Sequence, residues 1–367
     1  MLTSDLTARV TTTWDSVTLR KIAFLLLRVA IGITILIYLA RSGQINFSSL
    51  TRLFRVWPIT LAAVGFLLFD ILMMSIRASL LFRSARLSLS LRNSFQLNLI
   101  GFLFSTFLPG AAGGDIARLV YATRQNDGRR AEVATVLVLD RFVGLFSLVL
   151  LPILFAPFFI DLLRSLSVLR RLLYLDALLA GLMVVSAAVV TFSGSTRSWV
   201  ARSLGTWPTI KDLAVRVLDA MGLQGKAQST LFFAFLLSLL ANLALIVVTA
   251  LGLYAVNPLS FSTRLALVAP IGHLVNSLPL TPGGIGIGET AFNALFRLTG
   301  ISGGAEALLC VRLWNISVGL LGLLVYLFGM RRIVYPYVEE SLEADGECVQ
   351  ADSTSSRKRA CPLFDLM

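Results

Sequence analysis

Six long runs of apolar residues set the strongest constraint on the fold of this chain. Each run reaches the roughly 20 residues that a helix needs to cross the hydrocarbon core of a bilayer. Hydrophobic residues make up 56% of the chain and charged residues only 14%, whereas about a quarter of the residues in a soluble domain are charged. The sequence therefore predicts an all-α polytopic membrane protein, with full spans at residues 22–40, 57–82, 133–160, 172–192, 228–256 and 303–330.

Two shorter apolar runs, residues 93–108 and 263–279, each end in a segment broken by proline and glycine. Broken backbone at membrane depth is tolerated only where it is buried in protein or lines a cavity. Glycine permits the sharp turn and the close helix approach that a hairpin requires. We therefore expect two re-entrant hairpins, with turns that contain Pro109, Gly113 and Gly114 in the first and Pro279, Pro282, Gly283, Gly284 and Gly286 in the second.

The order of these elements occurs twice along the chain. A long span, a short apolar run, a proline-glycine break, a short segment and a second long span follow one another in both halves, residues 57–160 and 228–330. Pro109 and Pro279 are 170 positions apart, and Arg141 and Arg312 are 171 positions apart. Since the order, the break and an arginine recur at nearly one offset, the sequence predicts an internal repeat.

The formal net charge is +12, and the basic residues lie between the apolar runs rather than in one polar domain. Loops rich in Lys and Arg are typical of the cytoplasmic side of a membrane, so the charge indicates topology and anionic lipid rather than nucleic acid. Six spans and two hairpins would place both termini and all four basic segments in the cytoplasm, namely residues 83–92, 118–130, 197–226 and 331–359. The halves are then inverted, as in many transporters. Eight or more plain spans with parallel repeats are the alternative.

Composition divides the chain into three parts. Residues 1–20 are polar and are interpreted as a cytoplasmic N terminus. Residues 21–336 form one transmembrane domain, and residues 337–367 are acidic, then rich in serine, then basic. A segment with so few apolar residues cannot form a packed core, so we expect a disordered cytoplasmic tail.

Charged residues expected at bilayer depth, in the apolar runs or in the short segments after the two breaks, are the candidates for function. A charge at bilayer depth costs about 2.5–3.5 kcal/mol on insertion scales, so it is retained only with a partner or a role. The set comprises Asp70, Arg77, Asp115, Arg118, Asp140, Arg141, Glu289, Arg297, Glu306 and Arg312. For Asp70, Arg77, Arg297 and Glu306 we favour a structural role, because acids and bases can pair or extend to the interface.

The other candidates favour binding of an anionic head group. We expect Arg118, Arg141 and Arg312 to line a polar cavity, since the planar guanidinium can hold two phosphate oxygens at once. Asp115 and Glu289 would orient these arginines, bind a coupling cation or meet a cationic head group. Glu289 and Arg118 each follow a break by a few residues, where freed amides and helix N-termini also point inward.

Other chemistries find little support. His273 is the single histidine, which excludes a multi-histidine metal site, and we expect it to form a hydrogen bond inside the protein. The three cysteines make no disulfide framework. The pattern from Gly286 to Ala291 formally matches a dinucleotide fingerprint, but prolines precede it instead of a strand. We therefore expect neither a metal nor a cofactor.

The same motifs resemble the transmembrane domain family of lysylphosphatidylglycerol synthases, which are also described as flippase-like membrane proteins. The resemblance covers about residues 20–332 and is carried by Leu108-Pro109-Gly110, Gly114-Asp115, Arg118, Asp140-Arg141, the block Leu280-Thr281-Pro282-Gly283-Gly284-Ile285-Gly286-Ile287-Gly288-Glu289, and Arg312. It implies handling of lipids or of polyprenyl-phosphate sugars. The soluble aminoacyl-transferase domain of the synthases is not expected here, so lipid synthesis by this chain alone is not expected either.

These patterns together favour a flippase-like transporter or binder of an anionic lipid or lipid-linked head group in the cytoplasmic (inner) membrane. Two alternatives stay open: a membrane-embedded glycosyl- or phosphotransferase, and an accessory subunit of a lipid-modification or glycosylation complex. The sequence favours a transporter over an enzyme, because its acids are isolated and do not cluster in a polar loop as metal-binding carboxylates do. Membrane lipids are the expected partners, and a lipid-modifying enzyme or a glycosyltransferase is a further candidate.

Overall fold

The computed structural model describes residues 56–107, 113–126, 129–192, 228–278, 281 and 284–325. All regular structure in these ranges is helical, and the predicted all-α polytopic membrane fold is confirmed. The predicted span at 22–40, the N terminus and the tail lie outside the described residues. The chain divides into two compact units, residues 1–322 and 323–367, and only residues 323–325 of the second are described.

The first half contains two long helices with two shorter helices between them. These are α1 (Trp57–Ser84), α2 (Leu91–Phe107), α3 (Gly113–Gln125) and α4 (Arg130–Phe155). A 3₁₀ turn (Ala156–Phe159), the short α5 (Ile160–Ser165) and α6 (Ser167–Phe192) follow. The second half repeats the order of long and short helices with α7 (Gln228–Val256), a 3₁₀ turn (Pro258–Ser260), α8 (Leu265–Asn276), α9 (Ile287–Leu298) and α10 (Gly304–Val325).

Within the described residues, four helical segments are long and apolar enough to cross a membrane: Trp57–Ser84, Arg130–Ser165, Ser229–Val256 and Gly304–Val325. They coincide with four predicted spans, and α6 contains the fifth. The helices α2, α3, α8 and α9 have 17, 13, 12 and 12 residues. Each is shorter than the roughly 20 residues of a full crossing, as the hairpin interpretation requires.

The long helices are apolar on all sides, as expected of segments that meet both protein and lipid. On α1, Leu67 and Ile71 are fully buried, whereas Trp57 and Leu61 are exposed. Phe232 and Phe233 are likewise exposed on α7. Exposed apolar side chains of this kind are unfavourable in water, but they pack well against the acyl chains of lipids.

The long helices α1 and α7 pack against each other, while α2 packs on α3 and α8 on α9. Glycine allows two close crossings outside these pairs. A Cβ atom on Gly252 of α7 would lie 2.9 Å from the carbonyl oxygen of Ala307 on α10. A Cβ on Gly322 of α10 would collide with the carbonyl of Leu99 on α2. Small residues at such crossings are typical of helix packing in membranes.

Candidate functional site

A cavity of about 350 Å³ opens between the two halves of the first unit. Its lining comes from the long helices α1, α4, α7 and α10 and from the shorter helices α2, α3 and α8. The ionisable residues that line it are Asp70, Arg77, Arg118, Arg141, His273 and Arg312. Four guanidinium groups thus surround one cavity inside an apolar helix bundle, which makes this the candidate site.

One group of contacts lies in the second half, around Glu289. Arg312 Nε on α10 donates a hydrogen bond to Glu289 Oε1 over 2.6 Å. Arg312 Nη2 also donates to Asn276 Oδ1 at the end of α8, over 2.9 Å. The Glu289 side chain is fully buried, while that of Arg312 is 21% exposed. Glu289 therefore orients an arginine that reaches the cavity, and does not line the cavity itself.

The start of α9 explains why Glu289 occupies this position. Gly286 precedes the helix with φ of 84°, a conformation that favours glycine. Its backbone N–H donates to Glu289 Oε2 over 2.7 Å, which closes a capping interaction at the third helical residue. In the adjoining turn, the Thr281 hydroxyl donates to the Ile285 carbonyl over 2.9 Å. These bonds satisfy backbone groups that the break would otherwise leave unpaired in an apolar region.

A second group of contacts lies in the first half, around Asp140 on α4. Arg77 on α1 donates from Nε to Asp140 Oδ1 over 2.7 Å and from Nη2 to Oδ2 over 2.9 Å. Arg77 Nη1 donates to the Ser238 hydroxyl on α7 over 2.8 Å. Arg118 Nη1 on α3 lies 3.8 Å from Asp140 Oδ2. Asp140 thus joins arginines from two other helices, a pairing that is bidentate on the Arg77 side.

The structure brings three of the five predicted substrate-binding residues to one cavity. Arg118 is buried, Arg312 is partly buried, and Arg141 is exposed at the cavity. Glu289 lies behind Arg312. Asp115 is the third residue of α3, and its side chain lies outside the described atoms.

The predicted hairpin turns are described in part. Gly284 (φ 69°) and Gly286 (φ 84°) lie in the second turn. Gly113 and Gly114 are the first two residues of α3 rather than part of the turn before it. Pro109, Pro279, Pro282 and Gly283 lie outside the described residues.

Sequence patterns did not identify the partner of Arg77 or the polar amides around the site. Arg77 pairs with Asp140 on another helix rather than with Asp70 on its own. Asn276 contacts Arg312, and Asn98, Asn242 and Asn315 line the cavity. Asparagine within apolar helices is the signal that could have found them, because an amide needs a partner in a membrane. His273 forms the expected hydrogen bond, at 2.8 Å with Thr249, and also lines the cavity.

The two halves present residues to the cavity at matching positions. Ala241 lies 171 positions after Asp70. The same separation relates four further pairs of lining residues: Met74 and Leu245, Phe102 and His273, Arg141 and Arg312, and Gly144 and Asn315. The offset between Arg141 and Arg312 in the sequence therefore recurs among residues that line the same cavity.

Comparison with known proteins gave one finding. A family model described as "Lysylphosphatidylglycerol synthase TM region" matches residues 25–331, which is most of the 367-residue chain. No curated protein and no solved structure matches the chain. The match agrees with the resemblance seen in the sequence motifs, and it implies an association with membrane lipids.

Proposed function

The chain belongs to the family of the lysylphosphatidylglycerol synthase TM region, and we propose from this premise that its cavity binds the anionic head group of a lipid or of a lipid-linked, polyprenyl-phosphate saccharide. The protein moves this head group between the leaflets of the cytoplasmic membrane. The acyl or polyprenyl chains stay in the surrounding lipid. Both termini lie in the cytoplasm, and alternating exposure of the cavity to the two sides completes the transfer.

The arginines of the cavity are the observation that carries this proposal. Arg77, Arg118, Arg141 and Arg312 come from four helices and both halves, and all line the same space. Asp140 and Glu289 offset two of these charges. A cationic cavity in a region of low dielectric attracts an anion far more strongly than the same charges would in water. Guanidinium groups suit phosphate, since they donate two parallel hydrogen bonds.

The size of the cavity favours a head group over a whole lipid. Its volume of about 350 Å³ lies at the lower end of the range for small-molecule sites. The matched lining positions and the short paired helices support two repeat halves that meet at the site. Inverted repeats with broken helices at such an interface are the arrangement from which alternating access arises in many transporters.

Reconstitution into liposomes tests the proposal. Arg118→Ala and Arg141→Ala should each slow translocation of a fluorescent anionic phospholipid roughly tenfold to a hundredfold, the equivalent of one lost charge-assisted hydrogen bond. Arg297→Ala is the matched control, because Arg297 is an exposed arginine on α9 that does not line the cavity.

Folding of each variant is checked by gel filtration and thermal melting before the assay. Wild-type rates in both Arg118→Ala and Arg141→Ala would contradict the proposal. So would an equal loss of rate in Arg297→Ala, since the effect would then not depend on the cavity.

A further inference from the structure

Asp70 differs from the other ionisable side chains that line the cavity. No described residue forms a hydrogen bond or an ion pair with it. It lies on α1, is 7% exposed, and lines the same cavity as the arginines. Arg77, two turns along the same helix, attracts the Asp70 carboxylate electrostatically but directs its hydrogen-bond donors to Asp140 and Ser238. An unpaired carboxylate at this depth is costly, and it is neutralised most simply by taking up a proton.

We propose that Asp70 is a proton-binding site whose occupancy is linked to binding of an anionic head group in the same cavity. This inference rests on the proposed function. It differs from the sequence interpretation of Asp70, which favoured a structural role.

The charges around the cavity determine the sign of the linkage. The cations that line it are Arg77, Arg118, Arg141 and Arg312. Asp140 and Glu289 oppose them through the ion pairs with Arg77 and Arg312. The cavity therefore carries a net charge of +2 when Asp70 is protonated and +1 when Asp70 is ionised. Because Coulomb attraction is strong at low dielectric, an anion binds more tightly to the protonated form.

The helices around the cavity present few other ionisable side chains to Asp70. The helices α3, α4 and α10 contribute arginines to the cavity lining, and α8 contributes His273. The cavity-lining residues of α2 and α7 include no ionisable side chain. Apart from Asp70 and the arginines, His273 is thus the only ionisable side chain that lines the cavity among the described residues. Its hydrogen-bond partner is Thr249, whereas no described residue forms a hydrogen bond with Asp70.

A proton fits this site better than a metal cation. A hard metal cation needs several oxygen ligands, and the described residues contain no group of three or more His, Cys, Asp or Glu side chains that could hold one. The neighbouring arginines would also repel it. Linkage is reciprocal, so head-group binding raises the affinity of Asp70 for its proton by the same factor. In an alternating-access cycle the proton and the anion then cross in the same direction.

The test measures binding of short-chain phosphatidylglycerol to the purified full chain between pH 5.5 and 8.5. This phosphodiester keeps one negative charge over the whole range, so any pH dependence belongs to the protein. We expect wild-type affinity to fall roughly tenfold or more as pH rises. Asp70→Asn, which is permanently neutral and of similar shape, should bind with high affinity at every pH.

Two variants separate Asp70 from other titrating groups. Asp176→Asn is the matched control, because Asp176 on α6 is also buried, with an unpartnered Oδ2, but does not line the cavity. Asp176→Asn and His273→Gln should both keep the wild-type pH dependence. In weakly buffered solution at neutral pH, wild type should take up a proton when the probe binds, and Asp70→Asn should not.

The outcomes distinguish the two proposals. Wild-type affinity that does not change with pH contradicts the role of Asp70 and leaves the proposed function intact. A pH dependence that persists in Asp70→Asn or disappears in His273→Gln also overturns it. If wild type fails to bind the probe at any pH, and does not differ from Arg118→Ala, then the proposed function fails and the linkage fails with it.

Discussion

The buried carboxylate of Glu289 accepts hydrogen bonds from two different parts of the protein. One carboxylate oxygen accepts from Arg312 Nε, and the other accepts from the Gly286 amide. A buried ion pair adds little net stability, because desolvation of both charges offsets their attraction. Removing one partner is costly, since the other charge stays buried alone. The pair therefore determines where the Arg312 guanidinium points more than how stable the fold is.

At the residue scale, we predict that Glu289→Ala lowers the free energy of unfolding in detergent by about 3–5 kcal/mol. The double variant Glu289→Ala/Arg312→Met should recover part of this loss, because it no longer leaves a partly buried cation without its carboxylate. Glu132→Ala is the control. Glu132 pairs with Arg129 while its side chain is 39% exposed, and such pairs contribute only about 0–1 kcal/mol. Equal losses of unfolding free energy in Glu289→Ala and Glu132→Ala would contradict an essential, buried pair of Glu289 with Arg312.

The hairpin α8–α9 positions its polar groups through close glycine contacts. A Cβ on Gly272 of α8 would lie 2.7 Å from the ring of Phe292 on α9. A Cβ on Gly288, or on Gly284 in the turn, would collide with Asn276 Oδ1, the atom that accepts from Arg312. The separation of the two hairpin helices thus depends on residues without side chains, and it determines the position of Arg312.

At the element scale, Gly284→Ala and Gly300→Ala form a matched pair. Both glycines have positive φ, 69° and 78°, so each substitution should cost about 1–2 kcal/mol of unfolding free energy. At Gly300 the added Cβ would meet nothing closer than 3.8 Å. Gly284→Ala should therefore cost more, and it alone should weaken binding of short-chain phosphatidylglycerol by displacing Asn276. Equal effects on stability and binding in the two variants would contradict a role for this turn at the site.

The described part of the first unit is organised as two halves around the arginine-lined cavity. Each half has two long helices with two short helices between them, and the cavity receives residues from both halves at a separation of 171 positions. The order of helices is the same in an inverted and in a parallel repeat. The two arrangements differ in the side of the membrane on which each loop lies. The charges of the loops favour inversion.

At the scale of the whole molecule, labelling of single engineered cysteines tests the topology. In the inverted arrangement, Gln125 at the end of α3 lies in the cytoplasm and Asn257 after α7 lies outside. A membrane-impermeant thiol reagent added to intact cells should label Asn257→Cys and not Gln125→Cys, once the native cysteines are replaced by serine. Labelling of both from one side would exclude inverted halves and favour plain spans with parallel repeats.

Sequence by itself determined the membrane fold. An apolar run of about 20 residues is long enough to cross a bilayer, and in lipid its backbone groups must form their hydrogen bonds within the segment, as a helix does. The spans beginning at Trp57, Gln228 and near Gly304 were predicted to within a few residues. The sequence also singled out Arg118, Arg141 and Arg312, which all line the cavity, since a charge in or beside an apolar run is conspicuous.

Only the tertiary structure decided which charges meet. Arg77 pairs with Asp140, 63 positions away, rather than with Asp70 seven positions away on its own helix. The choice depends on how α1, α4 and α7 pack and on the absence of a side chain at Gly144, where a Cβ would lie 2.9 Å from Arg77 Nη1. Helical periodicity specifies which residues share a face, but not which helix that face meets. For that reason Asp70 lines the cavity without a hydrogen bond from any described residue, a position that no pattern in the chain could have shown.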